Sequence, residues 1–227
     1  MNSDVASVEQ SFFSNYPAKE FQKGEIVVFQ GEAPRYTYVV KEGVVKSYNL
    51  SVNGDEKPVS FYDQGSAFPV PWTFGKAPSS FYYFEAFTDA KLYCVPREAY
   101  LQFVQQHPSV MYRLLESFVI EHIGNTMRLN ALQHSRASDK LLYTLHYLTM
   151  THSRPIGPRQ VEITLSLTHQ DFANLTGLTR ETTATELNKL KTQGVISYGK
   201  QTLYKVKLDK LHDVINDQFL ADMEMTP

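Results

Sequence analysis

Residues 168–197, THQDFANLTGLTRETTATELNKLKTQGVIS, hold two amphipathic stretches pinched together at one glycine. The spacing of their apolar residues predicts two short helices. Thr168 is the expected N-cap of the first, with Asp171 placed to close a capping box. Phe172, Ala173 and Leu175 form its inward face, and Gly177 supplies the left-handed turn that ends it. Leu178 then plugs the angle between the helices, and Thr179 caps the second. With Thr183 (through its methyl), Leu187 and Leu190 inward, the outward face presents Arg180, Glu181, Thr182, Thr185 and Lys189. Taken alone, such a pair is equally an αα-corner with no ligand.

The flanking segments change that balance. Val195-Ile196-Ser197 and TLYKVKL read as two strands around Tyr198-Gly199-Lys200-Gln201, and a strand VEITLSL precedes the helices after a loop SRPIGPRQ. Helix, turn, helix and hairpin make a winged helix-turn-helix. Residues near the N-terminus of its second helix meet base edges in the major groove. There Arg can grip guanine, Glu can accept from cytosine, and Thr can bond a base or touch a thymine methyl. Lys200, Lys205 and Lys207 near the hairpin suit phosphates. Thr168, His169 and Lys200 join the DNA-facing set. The charge distribution permits this: residues 1–110 carry 9 Lys/Arg against 12 Asp/Glu, and residues 111–207 carry 12 against 7.

The chain before residue 106 has another rhythm. FQKGEIVVFQGE, YTYVVKEGVVKSYNLSVNGDEKPVSFYDQG and SSFYYFEAFTDAKLYCV alternate apolar and polar residues between Gly24, Gly31, Gly43, Asn53-Gly54 and Gly65. Short strands at such intervals predict an antiparallel jelly-roll barrel, with a type I′ hairpin at Asn53-Gly54. After His107-Pro108 the period becomes helical. Met111, Leu114, Leu115, Phe118, Leu129 and Leu132 form a stripe, widened by Val119, Ile123 and Met127. The helix of about residues 109–136 is wide enough to cover the barrel on one face and pair with a second chain on the other. Ala137-Ser138-Asp139 looks like an N-cap at a hinge. The expected class is α+β, with a barrel and dimerisation helix over 1–136 and a winged helix-turn-helix over 137–227.

Composition removes several functions. One cysteine, Cys94, excludes an internal disulfide framework and a four-cysteine cluster. The N-terminus lacks a signal-peptide pattern and no run reaches about 18 apolar residues, so a cytoplasmic protein is expected, away from membranes. All seven histidines lie outside residues 1–106, which excludes a cupin-type metal site in the barrel. No Ser-His-Asp, Cys-His or paired-carboxylate set is visible, so no enzyme and no metal site are expected.

LTHQDFANLTGLTRETTATELNKLKTQGVIS, between the strand ITL and a Gly-Lys hairpin, resembles the DNA-binding domain of the catabolite-activator and fumarate–nitrate-reductase regulator (Crp/Fnr) family of bacterial transcription factors. FQKGEIVVFQGE, YVVKEGVVKSYN and AFTDAKLYCVPREAY are similar to its cyclic-nucleotide-type barrel, and the long helix stands where that family's dimerisation helix stands. The resemblance implies base contacts at the positions of Arg180, Glu181 and Thr185. Thr185 departs from the family's usual arginine, which implies a different recognised site. Contact with RNA polymerase is implied by the resemblance only.

The same resemblance frames the sensor. Pro69-Val70 stand where the family's cyclic-nucleotide binders carry Gly-Glu, and Ser80-Phe81 stand where the phosphate-binding Arg would be. Only Lys76 is cationic between residues 66 and 84, so cyclic AMP is not expected and no cofactor is assigned. Haem held by His122 or His134 stays open. Trp72, Phe74, Tyr82, Tyr83 and Phe84 are candidates for a pocket taking an apolar or neutral effector, or else fill the barrel. The expected function is a sequence-specific, homodimeric DNA-binding regulator on a pseudo-palindromic site. The rival is a winged-helix protein-interaction module on a barrel scaffold that does not bind DNA.

Overall fold

The computed structural model describes residues 2–133, 135–199 and 203–215. His134 and Lys200 therefore lie outside the described residues. The chain divides into two compact units, Met1–Leu115 and Glu116–Pro227.

The first unit opens with a helix, α1 (Asn2–Phe13), followed by six strands: β1 (Ala18–Phe21), β2 (Ile26–Val28), β3 (Thr37–Glu42), β4 (Val45–Leu50), β5 (Glu56–Tyr62) and β6 (Ala67–Phe68). A single turn of helix, α2 (Val70–Thr73), leads to β7 (Tyr83–Ala86) and β8 (Ala90–Val95), then α3 (Arg97–Gln106) and the long α4 (Pro108–Gln133). The strands form two antiparallel sheets, ordered β1-β8-β3-β6 and β2-β7-β4-β5. Period-two alternation decides which side chains meet between them. Tyr38, Val40, Leu92 and Cys94 from one sheet pack on Val28, Val45, Phe84 and Ala86 from the other. The alternate residues Val39, Ala67 and Val95 face Phe13, Tyr100, Phe103, Val104 and Val110 of the helices. Phe12 stacks on Phe103 with ring centroids 3.9 Å apart. The jelly roll expected from the turn spacing is present, whereas α1 and α3 interrupt a region that reads as strands alone.

Two local expectations need correction. Asn53-Gly54 does not form a type I′ hairpin. Only Gly54 has positive φ (84°), so the connection is a longer loop closed by Ser51 N–H donating to the Asp55 carbonyl and Gly54 N–H to that of Ser51. Next, α5 (Ala137–Thr151) is preceded by Arg136 as N-cap without a side-chain cap; the Ser138 hydroxyl bonds the Asp139 carboxylate instead.

From Glu116 on, α4 is itself part of the second unit. Met127 and Ala131 bury against Tyr143 of α5, flanked by Ile123 and Met150. The expected division at 136/137 and the observed one differ by this stretch of helix. Every residue from Leu141 to Thr149 is buried, so α5 is the axis of the unit rather than an amphipathic surface helix. Around it lie β9 (Ser153–Gly157), β10 (Gln160–Ile163), α6 (His169–Thr176), α7 (Arg180–Thr192), β11 (Ile196–Tyr198), β12 (Tyr204–Lys207) and α8 (Leu208–Ile215). Their sheet runs β11-β12-β10-β9. SRPIGPRQ, expected as a loop, supplies the edge strand β9. Pro155 is tolerated there because an edge strand leaves one row of N–H groups unused.

Candidate nucleic-acid interface

The capping box at α6 is complete: Thr168 Oγ1 accepts from Asp171 N–H, and the Asp171 carboxylate accepts from Thr168 N–H at 2.7 Å. Gly177 ends the helix at φ 69°, where a side chain would be strained, and Leu178 N–H returns to the Ala173 carbonyl at 3.2 Å. Two residues later Thr179 caps α7 by accepting from Thr182 N–H. Phe172, Ala173 and Leu175 of α6 are buried, as are Thr183, Leu187 and Leu190 of α7. The Thr183 hydroxyl is satisfied within its own helix by the Thr179 carbonyl, which leaves its methyl free to pack. Two short helices are thereby held at a fixed crossing by two caps and one left-handed turn.

The outward face of α7 carries Arg180, Glu181, Thr185, Asn188 and Lys189, all exposed. Thr182 is half-buried, and its hydroxyl accepts from that of the capping Thr179 at 3.0 Å, so it belongs to the cap as much as to the surface. Thr185 donates to the Glu181 carbonyl, leaving its lone pairs and methyl outward. Lys189 is held at 2.7 Å by Glu186; the lysine is well exposed, whereas the glutamate is mostly covered. Thr168 is exposed and His169 half-buried at the start of α6. Tyr198 links the two helices here, meeting the His169 ring at 5.9 Å and Asn188 of α7 at 3.3 Å. Sequence reasoning passed over Asn188, Lys191 and Tyr198. The first two lie on the exposed side of α7, and Tyr198 ends β11 with Lys191 Nζ 4.4 Å above its ring. A stripe at i, i+4, i+7 from Glu181, through Thr185, reaches Asn188.

The five effector-pocket candidates do not form one group. Phe84 is buried in the roll, stacked on Phe68 at 4.8 Å. Its neighbour Tyr83 must point to the opposite face of the same strand, where it stacks on Tyr48 at 5.3 Å. Trp72 lies on α2 beneath the Arg97 guanidinium, and Phe74 is 36% exposed. Tyr82 packs against the roll core. Inside the roll, Tyr62 meets Phe68 at 5.3 Å and Phe84 at 5.5 Å, and Tyr38 stacks on Phe68 at 5.6 Å. Burial pushes the Tyr38 hydroxyl up to about 12, and burial also raises the Cys94 thiol, so neither ionises at neutral pH. Among the described residues no three His, Cys, Asp or Glu side chains come together as metal ligands, and no helix is long and apolar enough to cross a membrane.

A roll of two antiparallel sheets, a long helix and a capped helix-turn-helix with a hairpin wing define a DNA-binding protein of the winged-helix class. Residues 18–107 match the cyclic nucleotide-binding domain and residues 139–214 the Crp-like helix-turn-helix domain. The global nitrogen regulator of Synechococcus elongatus is 26% identical over 186 residues, which covers 82% of this chain and 83% of that one. The fumarate and nitrate reduction regulatory protein of Vibrio cholerae is 26% identical over 180 residues, covering 79% and 70%. In fold, FixK2 from Bradyrhizobium japonicum matches with a TM-score of 0.70 at 22% identity, covering 87% of this chain and 96% of that one. A CooA variant from Carboxydothermus hydrogenoformans matches at 0.72 and 18%, covering 90% of each. The chain belongs to the Crp/Fnr family and is a DNA-binding transcription regulator.

Proposed function

We propose that the chain regulates transcription as a homodimer, with residues 137–227 as its DNA-reading part and two copies of α7 entering successive major grooves of a pseudo-palindromic site. The observation that carries the dimer is the outer face of α4. Tyr112, Leu115, Val119 and Leu129 recur at helical spacing, and each leaves about half or more of its surface in water (58%, 56%, 49% and 63%). An apolar stripe of this length on an isolated helix face is what a second copy of the same helix would cover. Arg180 and Glu181 on the first turn of α7 are the base-reading pair, with Thr185 beside them. Contact with RNA polymerase completes the reading and rests on family membership alone.

The same reading places no ligand inside the roll, because the rings of Tyr38, Tyr62, Phe68 and Phe84 support one another there. Selection of the full chain against a random duplex pool, with no small molecule added, tests it. The expected winner is a two-fold symmetric site with half-sites about 34 Å apart, one helical turn. A lone half-site would remove the dimer. No enrichment, together with no salt-dependent affinity for duplex, would leave the protein-interaction module standing instead.

A further inference from the structure

Tyr198 is where the wing meets the recognition helix. Its ring packs on Tyr204, its cross-strand partner, at 4.6 Å, and Tyr204 in turn meets Phe172 of α6 edge-on at 5.0 Å. His169 approaches the Tyr198 ring edge-on at 5.9 Å. The Tyr198 hydroxyl donates to Asn188 Oδ1 of α7 at 3.3 Å. One half-buried side chain therefore touches the DNA-facing residues of both helices of the motif.

That hydrogen bond changes what Asn188 can do. An asparagine reading adenine needs its carbonyl oxygen and its amino group together. Here Tyr198 takes one of the oxygen's two lone pairs, which fixes the amide plane and turns its N–H donors away from the ring. Asn188 also sits seven residues beyond Glu181, about 10 Å along the helix and past the turn that meets base edges. It lines an open depression with Thr185, Lys189, Thr192 and Gln193. The Thr185 and Thr192 hydroxyl protons already go to helix carbonyls, those of Glu181 and Asn188. The depression therefore offers donors in the Asn188 and Gln193 amide N–H groups and the Lys189 ammonium, beside acceptor oxygens of Thr185, Thr192 and Gln193, and Lys189 is the cation among its lining residues. Among the described residues Glu186 is the carboxylate bonded to that set, through Lys189, and its side chain is 16% exposed.

We infer that this depression seats a backbone phosphate on the far wall of the major groove, with Asn188 as donor and Tyr198 as the positioning residue that fixes its amide. The inference rests on the DNA-binding function proposed for this chain. The test uses the full chain, a fluorescein-labelled 24-bp duplex of random sequence and the selected site. Asn188→Ala and Tyr198→Phe should each weaken binding to both duplexes by the same factor, about three- to tenfold for one lost hydrogen bond. The double variant should bind no worse than Asn188→Ala alone, because the hydroxyl acts through the amide. The specific-to-random ratio should not move. Tyr198→Phe keeps the ring on Tyr204, so an unchanged melting temperature separates positioning from packing. Losses that multiply in the double variant, a loss on the selected site alone, or no loss for Asn188→Ala would each overturn the phosphate seat. Failure of the parent chain to bind either duplex would instead sink the DNA-binding reading itself.

Discussion

Gly124 of α4 lies flat against Tyr147 of α5: a Cβ built on it would stand 2.8 Å from the ring carbon Cδ2 and 3.1 Å from Thr151 Cγ2. The ring cannot easily yield. It is 1% exposed, and the Arg128 guanidinium lies 5.6 Å from its centroid on α4's own side. Two effects oppose each other at Gly124→Ala. A mid-helix alanine gains roughly 1 kcal/mol over glycine, while overpacking a closed contact costs roughly 1–3 kcal/mol. The net expected is a loss of about 0–2 kcal/mol, growing for Gly124→Val, read as a lower urea midpoint for the second unit. A gain of the full helix propensity at Gly124→Ala would show that the two helices separate there without cost.

Arg180→Ala tests the base-reading pair. The residue is exposed on the first turn of α7, so replacing it removes no packing. On the selected site the substitution should cost about 1–3 kcal/mol and relax preference at one base pair, with little effect on random duplex. Equal losses on both would make Arg180 a phosphate contact and leave Glu181 and Thr185 as the readers.

How much of the fold and the interface was legible in the residues depended on whether the signal was local. The helix-turn-helix was, because caps and a left-handed glycine act within four residues: Thr168 with Asp171, and Gly177 with Ala173. The change of period at His107-Pro108 marked the start of α4, but the switch from strand to helix comes earlier, at α3 (Arg97–Gln106). α1 was not, since its Val5, Val8, Phe12 and Phe13 gain meaning only against Phe103 and Val39, far along the chain. Tyr83 and Phe84, candidates either for a pocket or for filling the barrel, are adjacent on one strand and so face opposite ways. The link from Tyr198 to Asn188 spans ten residues and two elements, and no periodicity reports it.

Lys46 sits on the outer face of the β2-β7-β4-β5 sheet with its side chain 11% exposed, ion-paired to Glu56 and, at 3.2 Å, to Glu85. Burial opposes its charge, yet the hydrogen bond to Glu56 and the nearby Glu85 carboxylate hold its pKa above the usual lysine value. Lys46→Met fills the same space but strands two carboxylates, one of them 15% exposed, which costs about 3–5 kcal/mol for a buried pair and less here because Glu56 reaches solvent. Adding Glu85→Gln should restore part of that loss in a denaturant titration. If the second substitution adds to the damage instead, the cluster is held by packing on Tyr48 rather than by charge.

His212 of α8 should make the second unit less stable in acid. Its Nε2 is buried without a hydrogen-bond partner among the described residues, and the His146 ring stands edge-on at 5.6 Å. Burial first, and the Arg159 charge second, lower its pKa, with Asp213 pulling weakly the other way. The sign follows from which state takes the proton. Between the unfolded value near ~6.5 and the lower folded one, the unfolded chain binds a proton that the folded chain refuses. Stability should therefore be level above about pH 7 and fall as the pH drops below about 6.5. Melting temperatures of the parent chain and of His212→Gln, taken from pH 7.5 to 5.5, measure it. The parent should lose more on acidification than the glutamine variant, which has no proton to accept. Parallel profiles would remove His212 from the acid response.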